Sequence, residues 1–497
     1  MTSDPPFPSA DALVFFGATG DLAYKQIFPA LQAMVKRGTL NIPLIGVAKS
    51  GWTVEQLRER AHASLQEHGG VDEAAFEKLS GLLSYIDGDY NDRATFTALK
   101  TALGAAQYPL HYLAIPPSLF GPVTEQLAAS GCAARARIVV EKPFGRDLVS
   151  ARKLNETIHR VFPESSVFRI DHCLGKEAVQ NLLYLRFANG VLEPLLNRDH
   201  VQSIQITMAE NFGVAGRGKF YEEAGAIRDV VQNHMLQVMG LLLMEAPAQR
   251  GQEAIRDGVA RLFKSIRTLE SADVVRGQMN DYHQENGVAL DSKVETYVAL
   301  RFHVDSWRWA DVPIYVRVGK ELPVTCTSVT VQFKPPPQDV FGAVPALNVL
   351  RLQLTPGVQV TLGLNIKRPG AGMAGEATEL VLHRQDWDGL APYERLLGDA
   401  LAGDATLFAR EDEVEEAWRI VDPILGDETP VHAYAPGGWG PAEADALISR
   451  DGSWINVQPD LGGDGAAPPL PVPPTPHGDD ANPLPAVLAS LASKVGE

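Results

Sequence analysis

Two stretches of this chain gather more chemistry-bearing side chains than a core or a solvated loop needs. The first, VFRIDHCLGKEAVQNLLYLRF, runs from Val167 to Phe187. It packs Arg169, Asp171, His172, Cys173, Lys176 and Glu177 directly ahead of an apolar run. An anion to be held, or a proton to be taken, is the natural reason for such crowding. The second, IRDVVQNHMLQV, sets Asp229, Gln232, Asn233 and His234 along an otherwise apolar helix. Histidine is the natural proton acceptor near neutral pH. A carboxylate from elsewhere, such as Asp171, would orient the His234 ring and stabilise its imidazolium. Asp171 and His172 are adjacent, so on extended chain they point to opposite sides and each needs its own partner. Lys176 follows within reach of any anion that His172 touches. On an α-helix Asp229 and Asn233 share a face. Asp229 and His234 are then roughly 140° apart around the axis and would meet one ligand only from different flanks. A satisfied interior histidine would fit the second stretch as well.

A third stretch, ALVFFGATGDLA, reads as a buried strand, a glycine turn and a helix start. Glycines at Gly17 and Gly20 would let backbone N–H groups approach a pyrophosphate, and the helix N-terminus favours its charge. Two glycines also occur in such turns with no nucleotide present. The next strand, IPLIGVAKS, ends in Lys49 and Ser50 rather than in the acidic residue that holds a free ribose hydroxyl. A cation and a hydroxyl there suit a 2′-phosphate, hence NADP. A merely solvated lysine is the plain alternative.

These groups need a scaffold, and the hydrophobic pattern supplies one. Strands without polar alternation, among them LHYLAIPPSLF and ARIVVEKPFG, alternate with helices up to about residue 170. That is the pattern of a doubly wound, Rossmann-like α/β domain with a parallel sheet. Pro29 should kink or delay the first helix. A long apolar helix is expected over about 225–244. Better-alternating strands such as VQSIQITMAENFG, TYVALRFHV, PIYVRVGK, SVTVQFK, VLRLQLTP and VQVTLGLNI then follow with short gaps. They predict a larger α+β domain with a mostly antiparallel sheet. The expected organisation is a loose N-terminus at 1–10, a dinucleotide-binding domain at 11–178 and this α+β domain at 179–455. A Pro/Gly-rich tail, read as disordered, fills 456–497.

Composition narrows the function. A chain of 497 residues is too long for one core. Its net charge of −17 argues against nucleic-acid and anionic-membrane partners, which need a positive face. No apolar run has the length of a membrane span, and MTSDPPFPSADALVFFG is a poor signal peptide. Cys132, Cys173 and Cys326 show no paired spacing, so neither a disulfide framework nor a cysteine-based zinc site is expected. The histidines are scattered, so no metal is expected. A reducing cytoplasm fits best.

Taken in order, GATGDLA, EKPFG, RIDHCLGKE, GAIRDVVQNH and YERLLGDALAGD, with GGWGPAEADALI near the end, resemble the glucose-6-phosphate dehydrogenase family over about residues 11–450. The resemblance implies oxidation of glucose 6-phosphate at C1 to the lactone, with hydride transfer to NADP and NAD as the alternative coenzyme. It implies that His234 is the catalytic base, Asp171 its paired carboxylate, and Lys142 a lysine near both substrate and nicotinamide. The Lys142–Pro143 bond is expected cis. His172 and Lys176 match phosphate binders. Glu210 and Asp229 match acceptors for sugar hydroxyls, and Lys320 and Gln353 match further substrate contacts. Gly17, Thr19, Gly20, Asp21, Leu22 and Lys49 match the coenzyme positions. The resemblance makes 179–455 the sugar-phosphate and dimerisation domain, and a homodimer or homotetramer, paired through the large sheet, is implied as well.

Four positions depart from the family pattern: Cys173 replaces a tyrosine, Thr325 a basic residue, Gln26 a lysine, and Lys49 the commoner arginine. Each change weakens an anion contact, so weaker phosphate binding is expected. Two other readings stand beside this one. The glucose–fructose oxidoreductase group shares Glu-Lys-Pro, but its glycine turn is usually G-x-G-x-x-G. A coenzyme-binding sensor that has lost turnover would explain the departures but not the intact Asp171, Lys142 and His234 set.

Overall fold

The computed structural model describes residues 8–457 apart from 339, 343–344 and 385–388. Most of the tail read at 456–497 therefore lies outside the described residues. Pro8 and Ala10, read as part of a loose end, are held in place. Arg137 donates to the Pro8 carbonyl at 3.1 Å, and the Ala10 N–H donates to the Leu401 carbonyl at 2.7 Å.

The first sheet is built from β1 (Ala12–Phe16), β2 (Leu44–Ala48), β3 (Leu83–Asp87), β4 (Pro109–Leu113), β5 (Arg137–Glu141) and β6 (Val167–Ile170). They pair in parallel in the order β6-β5-β4-β1-β2-β3, with helices in the crossovers. Every residue of β1, β2, β4 and β5 is buried, which is why their sequences run apolar without alternation. In the first helical stretch, Ala23–Ile27 winds wider than an α-helix and the regular helix starts at Phe28, with Pro29 in its first turn. The wide turn absorbs the N–H that proline lacks.

The second sheet uses β7 (Val201–Ala209), β8 (Val274–Met279), β9 (Tyr297–Phe302), β10 (Ile314–Gly319), β11 (Cys326–Phe333), β12 (Val349–Thr355), β13 (Val358–Lys367) and β14 (Gly375–Arg384). The chain then returns to the first sheet. There β15 (Phe408–Ala409) pairs antiparallel with β6, before β16 (Val431–Tyr434) closes the second sheet beside β8. The order is β14-β13-β12-β11-β7-β10-β9-β8-β16. Only β7–β10 and β8–β16 run parallel. A strand as short as β15 carries no sequence pattern, and it comes from within the segment assigned to the later domain.

One apolar core joins the two sheets. It contains Val14 and Phe16 of the first sheet, Val316 and Val329 of the second, and Met235, Leu236 and Met239 of the buried helix between them. A smaller cluster, with Tyr297, Tyr315, Tyr434 and Trp454, covers the opposite face of the second sheet. Toward β14 cover stops on both faces, and Leu380 and Leu382 on one side and Val381 on the other are left more than half exposed.

Candidate active site

The reactive groups collect at the C-terminal ends of parallel strands, where open α/β sheets bind ligands. β5 delivers Lys142 through a cis bond to Pro143. β6 delivers Asp171 and His172. The single parallel pair at the centre of the second sheet sets Ala209 beside Gly319, so Glu210 and Lys320 emerge side by side. An antiparallel pairing there would have sent them to opposite ends.

The remaining members come from the helical stretch 227–243. Its first part, Ile227–Met235, winds as a π-helix, and Leu236–Leu243 continues as an α-helix. This corrects the α-helical expectation that held Asp229 and His234 on different flanks. Hydrogen bonds that run i→i+5 bring residues five apart onto one face, and Asp229 and His234 both reach the same ammonium. Lys142 Nζ donates to the Asp229 carbonyl at 3.0 Å and to its Oδ1 at 3.2 Å. The same Nζ lies 3.1 Å from His234 Nε2. On its other edge, His234 Nδ1 lies 2.5 Å from Asp171 Oδ1, which also accepts the Cys173 N–H at 2.9 Å. Nδ1 is therefore the protonated nitrogen, and Nε2 keeps its lone pair.

Both partners are buried. Burial pushes the Asp171 carboxyl up, but the His234 ring beside it overcomes this and holds the group well below the usual carboxylate range. Burial also pushes His234 down, against the pull of Asp171. The pair thus rests as carboxylate and neutral imidazole, the form a general base needs. The His172 ring stacks edge-on to His234 with centroids 4.5 Å apart, and burial followed by the neighbouring His234 lowers it to about 3. Lys176 caps the helix Glu177–Phe187, and its charge is felt at His172. Lys320 Nζ is paired with Glu210 Oε2 and lies 5.3 Å and 5.5 Å from the ring centroids of Phe212 and Tyr221.

Gln353, expected as a substrate contact, makes no hydrogen bond to the other expected site residues among those described. It faces the opposite side of β12 from buried Leu352 and Leu354, and its amide donates to the Pro356 carbonyl at 2.9 Å. Strand alternation sends it away from the helical layer that carries His234. Of the departures, Cys173 has its thiol buried in the core and offers an anion nothing. Thr325 Oγ1 is bonded to Asn211, accepting its N–H at 3.0 Å and donating to its Oδ1 at 2.6 Å. Gln26 is exposed.

Two buried glutamates near these groups received no role from the sequence. Glu295 is buried, paired with Arg276 at 3.0 Å, and its Oε1 accepts the Ile227 N–H at 3.1 Å. It anchors the start of the π-helical stretch, and a Cβ on Gly225 would lie 2.5 Å from it. Glu141 accepts from the Tyr112 hydroxyl, and burial pushes its carboxyl up to about 7. Glu295 stands in a segment whose pattern gives no reason to single out a glutamate, whereas Glu141 lies within EKPFG, where only Lys142 was given a role. Donor atoms of Asp171, His172 and His234 lie within 4.8 Å of one another. Lys142 on Nε2 and Asp171 on Nδ1 engage both nitrogens of His234.

The glycine turn fits a dinucleotide. Gly17 has φ +81°, and a Cβ on it would lie 2.2 Å from the Ala114 carbonyl, so only glycine forms this cradle. Thr19 and Ser50 hydroxyls are 2.7 Å apart. Asp21 is exposed, with Lys25 and Arg60 each 3.9 Å away, and Leu22 packs on the core. Lys49 is exposed and donates to Asp89 Oδ2 at 2.6 Å.

Known proteins match this architecture along nearly its whole length. Residues 14–181 match the glucose-6-phosphate dehydrogenase NAD binding domain, and residues 183–455 match the C-terminal domain of the same family. The chain belongs to the glucose-6-phosphate dehydrogenase family. It is accordingly an oxidoreductase of carbohydrate metabolism, and NADP is the family's coenzyme. Glucose-6-phosphate 1-dehydrogenase 1 of Mycobacterium tuberculosis is 43% identical over 451 residues, which is 90% of this chain and 96% of that protein. The crystal structure of the Mycobacterium avium glucose-6-phosphate 1-dehydrogenase superposes with a TM-score of 0.86 at 44% identity, covering 91% of this chain and 99% of the other. A glucose-6-phosphate dehydrogenase in complex with glucose-6-phosphate superposes with a TM-score of 0.85 at 34% identity, over 92% and 100%. A cytoplasmic relative from Arabidopsis thaliana is 37% identical over 469 residues, 89% of this chain and 91% of its own. Among the described residues no helix is long and apolar enough to cross a membrane.

Proposed function

We propose that this chain oxidises glucose 6-phosphate at C1 to the 6-phosphogluconolactone, the first step of the pentose phosphate pathway, with His234 as base. NADP, when bound, supplies the hydride acceptor. His234 takes the C1 hydroxyl proton at Nε2, the nitrogen left basic because Nδ1–H is committed to Asp171 2.5 Å away. As the imidazolium forms, the Asp171 carboxylate stabilises it inside the protein. Lys142, 3.1 Å from Nε2, neutralises charge that develops on the substrate oxygen and keeps the neutral imidazole favoured beforehand. His172 and Lys176 hold the phosphate. Glu210 and Asp229 accept sugar hydroxyls, and Lys320 aligns Glu210. Gly17, Thr19, Gly20, Asp21, Leu22 and Lys49 hold the coenzyme. The subunits pair through the uncovered β13–β14 region, where Leu380 is 61% and Leu382 63% exposed, giving a homodimer or a tetramer built from it. The enzyme works in the cytoplasm.

The observation that carries this reading is the Asp171–His234–Lys142 chain at the strand ends. The test is to supply glucose, glucose 6-phosphate and galactose 6-phosphate with each coenzyme and follow reduced nicotinamide. Turnover is expected with glucose 6-phosphate alone, and His234→Asn should abolish it while coenzyme binding persists. Comparable rates with free glucose, or an active His234→Asn protein, would refute it.

A further inference from the structure

The polar groups at the end of β2 are already engaged, and carboxylates engage them. Lys49 Nζ is held by Asp89 Oδ2 at 2.6 Å. The N–H groups of Ser50 and Gly51 both donate to Asp87 Oδ1, at 2.9 and 2.7 Å. Ser50 Oγ pairs with Thr19 Oγ1 at 2.7 Å. Asp89 is not a wandering surface side chain. Its Oδ1 accepts the Asn91 N–H at 2.8 Å and the Asn91 Nδ2 at 3.0 Å, so the carboxylate is fixed at both oxygens. The Lys49 ammonium, then the Asn91 bonds, hold its carboxyl down at about 2, and it stays charged at any working pH.

Lys49 therefore faces Asp89, while the backbone N–H groups beside it face Asp87. A 2′-phosphate adds up to about two negative charges, and to reach Lys49 it must take the ammonium from Asp89 and then sit beside that carboxylate. A free ribose 2′-hydroxyl meets neither obstacle, and it can donate to the carboxylates as it does in NAD-binding folds.

We propose that Asp89 sets the coenzyme choice of this enzyme by competing with the 2′-phosphate of NADP for Lys49, so that NAD is accepted alongside NADP. This residue lies at the end of the third strand, outside the turn and the second-strand position where a sequence search for coenzyme specificity looks. The inference rests on the reading of Lys49 as a coenzyme residue, and the two are separable by experiment.

Calorimetric titration with 2′,5′-ADP and with 5′-ADP reads the contact without turnover. Asp89→Asn keeps the Oδ1 bond from Asn91 and removes only the charge. It should tighten 2′,5′-ADP by about 1.5- to fivefold, the scale of an exposed ion pair, and leave 5′-ADP unchanged. The ratio of kcat/KM for NADP over NAD should rise in step. Asp89→Ser, which also lacks the charge, should do the same. Lys49→Met should weaken 2′,5′-ADP and spare 5′-ADP. If Lys49→Met weakens 2′,5′-ADP while neither Asp89 variant tightens it, Asp89 is no competitor and the inference falls alone. If Lys49→Met leaves 2′,5′-ADP binding untouched, the coenzyme role of Lys49 falls, and the inference with it.

Discussion

Replacing Asp171 by Asn isolates the charge behind the base. Asn is nearly isosteric, and its Oδ1 can still accept the Cys173 N–H that Asp171 accepts at 2.9 Å. What disappears is a full negative charge 2.5 Å from His234 Nδ1, with both side chains under 5% exposed. Removing one member of a buried pair costs about 3–5 kcal/mol. In this reaction the cost falls where the imidazolium forms, which is the transition state and not the bound sugar. At about 1.4 kcal/mol per factor of ten, kcat should fall by about 10²- to 10⁴-fold, with KM for glucose 6-phosphate little changed. The assay is initial-rate kinetics with both substrates varied, on protein whose thermal melt and 2′,5′-ADP binding match the parent. Because Asp171 raises the affinity of His234 for protons, the acid limb of the residual activity should also move to lower pH. A loss of less than tenfold, or a loss carried by KM, would refute the role given to Asp171.

Burial, and after it the Lys142 ammonium, lower His234 below its ordinary value of about 6.5. Activity needs the neutral ring, so the rate should be flat above that pH and fall only as pH drops through the depressed value. Lys142→Met removes one depressing charge and should shift the acid limb of kcat/KM upward as well as slow turnover; an unmoved limb would contradict the contact. Gly17→Ala puts a methyl 2.2 Å from the Ala114 carbonyl at φ +81°. It should cost at least about 1–3 kcal/mol of backbone strain, read as a lowered melting temperature and lost 2′,5′-ADP binding. Leu380→Asp with Leu382→Asp should yield monomers by light scattering, and an unchanged mass would move the subunit contact elsewhere.

Much of this was legible before any coordinates. The unbroken apolar strands β1, β2, β4 and β5 announced the parallel sheet, because only strands covered on both faces can dispense with alternation, whereas the half-covered β3 carried no such signal. Asp171 and His172 stood out as charges crowded ahead of an apolar run, whereas the residues alone allowed His234 to be a satisfied interior histidine, and Lys142 entered only with the family resemblance. What stayed hidden depended on register and winding. The i→i+5 turn that gathers Asp229 and His234 leaves no mark in residue order, and α-helical geometry misplaced them. Gln353 came with the resemblance, and the side of β12 it faces, opposite the buried Leu352 and Leu354, was set by strand alternation and not by the motif. Glu295 and Asp89 act through partners distant in sequence, Ile227 and Lys49, and a linear reading has no access to such pairs.

The short strand β15 ties assembly of the catalytic end to the far part of the polypeptide. Phe408 pairs with Ile170, the residue just before Asp171, and its ring meets Phe168 edge-on at 4.9 Å. A nascent chain emerging from the ribosome therefore cannot seal the outer edge of its nucleotide-binding half until residue 409 has been made. Until then the strand bearing the aspartate presents an open ladder to other chains, and a truncated amino-terminal fragment should be caught by chaperones or aggregate rather than bind coenzyme as a free-standing module.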